Sequence, residues 1–506
     1  MNRKTGVIFS YLLMAAEMLS SLLFTPLLIR SLGQQEYGTY SWVMSITAYL
    51  YLLDLGIGNS IVKYAAEYRI QKDEKKQRKF LGLITVYYLL IGIILLGIGM
   101  ILQNNFGLIL KKGFDTREIV IAKQLFQITV LNAAATLFFG AYQKIILAYE
   151  KFMVAKSLDI VKVCFRMILG ITVLMTGGNS VGVAEVHLSV TTVVGVIGVI
   201  YVFKKLRLLP SIKGMDKVFV KEIVGFSSII LIQMIATQLN AMVDQVLLGI
   251  LVPSATVVLA VYGTGILIPQ YVQNIAANVN GVLMPGIVRM VQEGRNSKAI
   301  EAEMIRISRI LFIMLAFIGV TFGVYGELFI SLWVGEGYEQ SYLVAILILI
   351  PQIFILSQSI GSQIMWALNK HKVQAYLKLA VAIANVGLSI VMIKWNPLLG
   401  ATIATAITLI LGDICVANFV YKKYIKISII RYFSGVLKGT WICLVISAIV
   451  GGLVHCIVPN NWIGFLSGCG VMTCVYLGLM LLVGMSEYEK ALIKGILKIK
   501  VADSRK

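Results

Sequence analysis

Charged side chains inside a long apolar run are the first residues of this sequence that could carry chemistry. The run Leu158–Thr176 holds Asp159, Lys162 and Arg166 at positions i, i+3 and i+7, so a helix would place all three on one face. An ionisable group within a membrane span is costly and is by default a functional candidate. We therefore expect a cationic stripe that binds an anionic ligand. In the alternative, Asp159 and Lys162 pair and extend to the membrane surface.

A second pair of cations opens another apolar run, Ile307–Trp333. Arg306 precedes this run and Arg309 lies in its first turn, three residues further on and on the same side of a helix. Both arginines are candidates for an anion-binding cavity. The alternative is that they anchor the helix end at the cytoplasmic surface, where Lys and Arg accumulate.

Three carboxylates in the apolar runs are candidates for coupling transport to an ion gradient. Such a group must change protonation or hold a cation, and burial raises the pKa of a carboxyl group toward neutrality. Glu17 lies in the middle of the first run and is the first choice, and Asp244 ends a polar stripe in the seventh run and is the second. Asp54 is followed by Gly56 and Gly58, so capping a helix break is an equal alternative for it.

Neutral polar side chains form stripes at helical spacing on several other runs. Isolated groups of this kind often form hydrogen bonds between neighbouring helices. Three stripes together favour a hydrated cavity, because a sugar needs many neutral hydrogen-bonding partners. The candidates for lining this cavity are Asn132, Gln233, Asn240, Gln352 and Gln363.

Signatures of an enzyme or of a bound cofactor do not emerge from the sequence. The histidines lie far apart, at His187, His371 and His455, without the spacing of a zinc site. The sequence contains neither the Gly-x-x-x-x-Gly-Lys-Ser/Thr phosphate loop nor a nucleophile elbow. We therefore expect no catalytic residue, no metal and no cofactor, and a secondary transporter rather than an ATPase.

The elements that position these side chains are membrane helices. The 506 residues are 58% hydrophobic and only 14% charged, whereas about 25% is usual in a soluble domain. About fourteen apolar runs are long enough to span a bilayer, which needs about 20 residues. We predict an all-α polytopic membrane protein with two six-helix lobes and a terminal helix pair, divided at residues 1–210, 211–425 and 426–506.

Basic residues concentrate in every second loop. Lys63–Lys79 and Lys204–Lys221 are rich in Lys and Arg, whereas Thr176–Val181 carries neither. Because basic loops stay cytoplasmic, both termini and these basic loops are predicted to face the cytoplasm. The net charge of +21 is thereby assigned to loops beside anionic lipid and not to nucleic-acid binding.

Several segments together resemble a known family. The segment Pro26–Tyr40, the segment Asp54–Gly58 and the start of a second half at Asp244–Gly249 resemble the polysaccharide biosynthesis protein family. Its members are oligosaccharide-lipid flippases of the multidrug/oligosaccharidyl-lipid/polysaccharide exporter superfamily. The likeness covers almost the whole chain in order and spacing.

The resemblance implies two six-helix lobes around a central cavity in the cell membrane. The implied substrate is a polyprenyl-pyrophosphate-linked oligosaccharide, which alternating access moves to the outer leaflet for a surface polysaccharide such as capsule or the O-antigen of lipopolysaccharide. The implied partners are this lipid, the bilayer and the polysaccharide polymerase machinery. Family members keep a cationic cavity, for which this chain offers Arg166, Arg309 and Arg30.

Other functions remain open at this point. A flippase for a lipid-linked peptidoglycan precursor and a drug or cation antiporter belong to the same superfamily. An antiporter of organic cations would favour an acidic cavity, whereas intramembrane Arg and Lys favour an anionic substrate. An integral-membrane polymerase would need a sizeable loop with catalytic residues, and the sequence has none.

Overall fold

The chain is all-α in the computed structural model, which describes residues 3–211 and 217–491. A short 3₁₀ turn, Tyr51–Asp54, follows the first helix, and π-helical turns lie at Tyr201–Lys205, Leu409–Val416 and Met480–Gly484. The α-helices are α1 (Arg3–Leu50), α2 (Ile57–Ile70), α3 (Glu74–Ile109), α4 (Thr116–Ala148), α5 (Phe152–Met175), α6 (Ser180–Ile200), α7 (Lys217–Leu251), α8 (Ala255–Gln292), α9 (Ser297–Val334), α10 (Gln340–Ser357), α11 (Ser359–Ala367), α12 (His371–Ile393), α13 (Pro397–Thr408), α14 (Ala417–Tyr424), α15 (Ile429–Leu437), α16 (Thr440–His455) and α17 (Trp462–Leu479).

Many of these helices are long and apolar enough to cross a membrane. Within the described residues eleven qualify, or twelve if α15 and α16, bent by 44°, form one span. The prediction of an all-α multi-pass membrane protein is confirmed. Fewer than fourteen spans are counted partly because α1 runs through two predicted spans, Val7–Ile29 and Tyr40–Ser60, without a loop between them. In addition, the predicted span Leu158–Thr176 on α5 carries three charged residues and does not qualify.

A break divides α1 internally. Gly33 has φ 70° and ψ 174°, a conformation that glycine adopts without a Cβ clash. Another break separates α1 from α2, where Leu55 and Gly56 both have left-handed φ angles of 49° and 74°. These breaks lie in two of the three segments that carry the family resemblance, Pro26–Tyr40 and Asp54–Gly58.

The described chain divides into two compact units. The first comprises the residues up to Gly263 together with Ala382–Ala401, and the second comprises Thr264–Val381 and the residues from Thr402 onward. The lobe boundaries at 1–210, 211–425 and 426–506 stay a prediction.

Glycines let helices of the first unit approach closely. A Cβ on Gly38 of α1 would lie 1.8 Å from the backbone oxygen of Thr256 on α8. A Cβ on Gly249 of α7 would lie 2.2 Å from the indole nitrogen of Trp42, which is fully buried. No side chain fits at either position, so the backbone of α1 contacts the backbone of α8 at Gly38, and the indole of Trp42 packs directly on the backbone of α7 at Gly249.

Candidate functional site

The charged face predicted on α5 lies within the first unit, beside α1, α4 and α6. The Nη2 atom of Arg166 donates a hydrogen bond to the hydroxyl of Thr191 on α6. That hydroxyl donates in turn to Oδ1 of Asn132 on α4, at 2.8 Å, with the carbonyl oxygen of His187 as a second acceptor at 2.6 Å. Two predicted site residues, Arg166 and Asn132, are therefore linked through one threonine.

Sequence reasoning missed Thr191 and His187. They lie four residues apart on α6, a mostly apolar helix, so they share a face and form a short polar stripe. That spacing was the available signal. It was weak because threonine is common in apolar helices, where its hydroxyl often bonds the backbone four residues earlier.

Arg166 keeps part of its hydrogen-bonding capacity unused. Within the described ranges no carboxylate lies within 4.0 Å of its guanidinium, and its buried Nε atom has no acceptor. The titratable groups that act on it electrostatically are Tyr51 and Tyr40, whose phenols are uncharged at neutral pH. An arginine carries five N–H donors and a permanent charge, so this one can still bind an anion.

Asp159 and Lys162 form the ion pair that the alternative interpretation predicted. Their atoms lie 3.6 Å apart, and Gln143 donates to the same Asp159 oxygen at 2.8 Å. Lys162 nevertheless lines an open cavity between α4, α5 and α6, of which water can enter about 70 Å³. Glu17 on α1 interacts electrostatically with this cluster, since Asp159 and Lys162 are among the charges that act on it. The side chain of Glu17 is exposed.

Arg309 lies in the second unit, with all of its guanidinium nitrogens engaged. Its Nε atom contacts Oε1 of Glu489 at 2.6 Å, and both side chains are buried. The other nitrogens donate to the backbone oxygens of Gly435, Lys438 and Gly484, the first at 3.2 Å. This arrangement favours an anchoring role, because it joins α9 to α15 and to the segments that follow α15 and α17.

Arg306 is also engaged by neighbours in the second unit. It contacts Glu303 at 3.1 Å, and its guanidinium lies 3.0 Å from the ring centroid of Tyr488. Arg30, the remaining cationic candidate, lies on α1 in the first unit and is exposed. The predicted cations are thus distributed over both units.

The two other candidate carboxylates are buried in the first unit. Asp244 accepts hydrogen bonds from the hydroxyls of Tyr262, at 2.8 Å, and Ser389, at 2.7 Å. Asp54 accepts from the backbone N–H of Gly58, at 3.2 Å, and from the hydroxyl of Tyr88. The geometry of Asp54 matches the capping alternative, because its carboxylate bonds the first turn of α2 after the break.

The polar lining candidates differ in their contacts. Gln352 donates to the backbone oxygen of Pro269 at 3.3 Å and to Gln273 at 3.4 Å, so it joins α10 to α8. The others, Gln233, Asn240 and Gln363, are partly buried on their helices. In the part of the chain that the structure describes, no cluster of His, Cys, Asp or Glu could hold a metal ion.

Comparison with known proteins places this geometry in context. The sequence model of a family described as "Polysaccharide biosynthesis protein" matches residues 4–291. A comparison with curated proteins found no match.

Solved structures show a similar fold. A structure described as lipid II flippase MurJ, inward closed conformation, is 15% identical with a TM-score of 0.69, and the alignment covers 96% of this chain and 100% of that one. An inward-facing multidrug resistance MATE family transporter of the MOP superfamily is 14% identical with a TM-score of 0.62, covering 81% and 96%. A MOP superfamily transporter from Pyrococcus furiosus, described as having a binding pocket of reverse polarity, is 15% identical with a TM-score of 0.57, covering 85% and 96%.

Proposed function

Because this chain belongs to the polysaccharide biosynthesis protein family, we propose that it is a flippase for a polyprenyl-pyrophosphate-linked oligosaccharide. It is a transporter of this family and not an enzyme. The lipid-linked sugar is loaded from the inner leaflet and released to the outer leaflet by alternating access. There it supplies the assembly of a surface polysaccharide such as O-antigen or capsule.

The observation that carries this proposal is the state of Arg166. Arg166 lies just past the middle of α5. Among the described residues no carboxylate lies within 4.0 Å of its guanidinium, and it makes one hydrogen bond, to the neutral hydroxyl of Thr191. A buried cation without an opposite charge is costly unless a ligand supplies one. A pyrophosphate does so with several oxygens, and arginine binds phosphate with two parallel hydrogen bonds.

The mechanism follows from the charges around this site. Arg166 binds the pyrophosphate while the polyprenyl tail stays in the bilayer. Lys162, which lines the adjacent cavity, adds positive charge on the same face of α5. Return to the inward-facing state then requires a charge change, for which Glu17 is the first candidate and Asp244 the second. Glu17 is suited to this because its protonation changes the net charge around the Asp159–Lys162 pair.

The topology in this proposal is that of the sequence prediction, with about fourteen spans. The eleven qualifying helices rise toward that number if α1 counts as two spans broken at Gly33, if α5 crosses despite its charges, and if α15 and α16 form one span. Both termini and the basic loops Lys63–Lys79, Lys204–Lys221 and Lys422–Arg431 face the cytoplasm. The two six-helix lobes enclose the cavity that alternates between the leaflets.

The topology has its own test. Single cysteines at Lys72 and Glu150, in a background without the six native cysteines, are expected to react with a membrane-impermeant maleimide only after the membrane is permeabilised. A cysteine at Asn179, in the connection without basic residues, is expected to react in intact cells. Labelling of Lys72→Cys in intact cells would reject the orientation.

A second candidate function is transport of a lipid-linked peptidoglycan precursor. The similarity to the MurJ structure over 96% of the chain favours it as the alternative. The two candidates share a pyrophosphate and differ in the attached sugars, so Arg166 serves both. Transport of organic cations is less well supported, because an arginine near the cavity disfavours a cationic ligand.

Complementation tests the proposal directly. In cells that lack their own flippase for a defined polysaccharide, the wild-type chain should restore export, Arg166→Ala should abolish it, and Arg166→Lys should restore part of it. Arg289→Ala is the matched control, because Arg289 is an exposed arginine that pairs with Glu293 one turn away. Normal export by Arg166→Ala at equal protein level would overturn the proposal. Rescue of a strain deficient in peptidoglycan precursor transport, without rescue of polysaccharide export, would favour the second candidate.

A further inference from the structure

The first unit contains a polar cavity that the cationic site does not explain. It lies between the end of α1, α4 and α6 and contains about 410 Å³ of atom-free space, counting its open mouth. The part of this space that water can enter is about 90 Å³. Because one water needs roughly 10–15 Å³ of such space, several waters fit there, and the hydroxyl groups of a ligand can replace them. Its polar lining consists of Thr47, Tyr51, Thr129, Asn132 and His187.

The lining carries no carboxylate, lysine or arginine of its own. Its remaining members, Met44, Ala48 and Ala184, are small or apolar. A charged ligand would lose its hydration there without gaining an opposite charge, whereas a neutral polar ligand can exchange water for these side chains. The cavity therefore fits a neutral ligand with many hydroxyl groups.

Two threonines supply hydrogen-bond acceptors. The hydroxyls of Thr47 and Thr129 lie 2.9 Å apart, and each also lies within 3.0 Å of a backbone oxygen of its own helix. Their protons are therefore already used, and their remaining lone pairs accept from a ligand hydroxyl.

Asn132 and His187 supply the complementary groups. Oδ1 of Asn132 accepts from Thr191, while its Nδ2 donates to no acceptor among the described residues. The ring nitrogens of His187 likewise have no partner in the described ranges, and one of them can donate while the other accepts. The cavity therefore offers both hydrogen-bond acceptors and donors, and each hydroxyl of a pyranose can use one of each. The ring of Tyr51 adds an apolar surface for the C–H groups of the sugar.

The cavity is connected to the cationic site. Thr191 lies one helical turn beyond His187 and bonds both Asn132 and Arg166. We propose that this cavity is a saccharide subsite, which holds the sugar that follows the pyrophosphate while Arg166 holds the phosphate. The inference rests on the proposed function, since it assigns a second part of the same substrate to a second set of side chains.

Binding measurements on the full chain in lipid nanodiscs test this subsite. The probes are a polyprenyl pyrophosphate without sugar and the same lipid bearing one glucose, one galactose or one N-acetylglucosamine. At least one sugar-bearing probe should bind the wild type about tenfold more tightly than the bare pyrophosphate, because one or two neutral hydrogen bonds are gained. His187→Leu should remove that gain and leave the affinity for the bare probe unchanged. Asn132→Leu should also remove the gain, but it takes away the acceptor of the Thr191 hydroxyl that Arg166 contacts, so its effect is measured as the ratio of sugar-bearing to bare affinity within that variant.

The controls separate this subsite from the proposed function. Thr192→Val is matched to the cavity variants, since Thr192 is the neighbour of Thr191 and bonds only the carbonyl of Leu188 in its own helix; it should retain the full gain. Arg166→Ala should weaken every probe. The subsite is rejected if no sugar increases affinity, or if the gain survives in both cavity variants. A third outcome separates the two proposals: the bare probe does not bind, while a sugar-bearing probe binds in a way that depends on Asn132. That result would reject the pyrophosphate role of Arg166 and support the subsite.

Discussion

Arg166 and Arg309 are both arginines within apolar helices, and their surroundings differ. Arg309 contacts Glu489 and three backbone oxygens, so its charge and its donors are used within the protein. Arg166 contacts one hydroxyl, and its Nε atom has no acceptor. The comparison teaches that the default assignment of function to intramembrane charge holds only where the protein leaves the charge unmatched.

The largest expected effect is on stability, at Arg309. Arg309→Ala should lower the free energy of unfolding by about 3–5 kcal/mol, because it leaves the buried carboxylate of Glu489 without its partner. Thermal unfolding of the purified protein in detergent should show this as a lower Tm, together with a lower level in the membrane. The double variant Arg309→Met with Glu489→Leu should recover much of the loss. An unchanged Tm for Arg309→Ala would mean that the two arginines do not differ in the way described.

The reverse pattern is expected at Arg166. Arg166→Ala should change the free energy of unfolding by no more than about 1.5 kcal/mol, since one hydrogen bond to a neutral group is lost and a buried charge is removed. Export should nevertheless be abolished at a normal protein level. A fall in Tm as large as that of Arg309→Ala would make Arg166 an anchoring residue as well.

The distinction between a functional charge and a structural one also applies to the carboxylates, and Glu17 is the first of them. Glu17→Gln keeps the shape of the side chain and removes its change of charge. Transport in proteoliposomes should slow and lose its dependence on an imposed proton or sodium gradient, while substrate affinity changes little. Unchanged gradient dependence in both Glu17→Gln and Asp244→Asn would reject carboxylate coupling at the two sites.

The smallest effect is expected at Asp54. Asp54→Ala removes the acceptor of the Gly58 N–H and of the buried Tyr88 hydroxyl, and should cost about 1–3 kcal/mol without loss of export. Asp54→Asn retains an acceptor oxygen and should keep both Tm and export close to wild type. Loss of export by Asp54→Asn at a normal Tm would instead assign Asp54 to coupling.

Local spacing predicted much of this arrangement. The i, i+3, i+7 pattern placed Asp159, Lys162 and Arg166 on one face because a helix fixes which residues share a side. The apolar runs likewise predicted an all-α membrane protein. The number of spans was harder, since α1 passes through Gly33 without a polar loop and α5 carries charges that a span usually excludes.

Partners from distant parts of the chain were beyond the reach of spacing. The acceptors of Arg309 lie on Gly435, Lys438, Gly484 and Glu489, more than a hundred residues further along the chain, and nothing near Arg309 in sequence announces them. The role of Thr191 was equally hard to predict, because it depends on α4 and α5 both packing against this residue. Tertiary packing, and not helix periodicity, decides which charges are matched.

The contact between Trp42 and Gly249 has a consequence for the ease of motion. The indole is enclosed between Gly249 and the rings of Phe106 and Phe114, yet its N–H is buried without an acceptor. A buried donor of this kind costs about 1–3 kcal/mol, which is recovered when water reaches it. Close packing therefore holds α1 against α7. The unsatisfied N–H raises the free energy of this packed state and so reduces its advantage over a state in which the two helices are apart. Because Gly249 carries no side chain, the indole of Trp42 is the group that has to leave its place if the two helices part at this point.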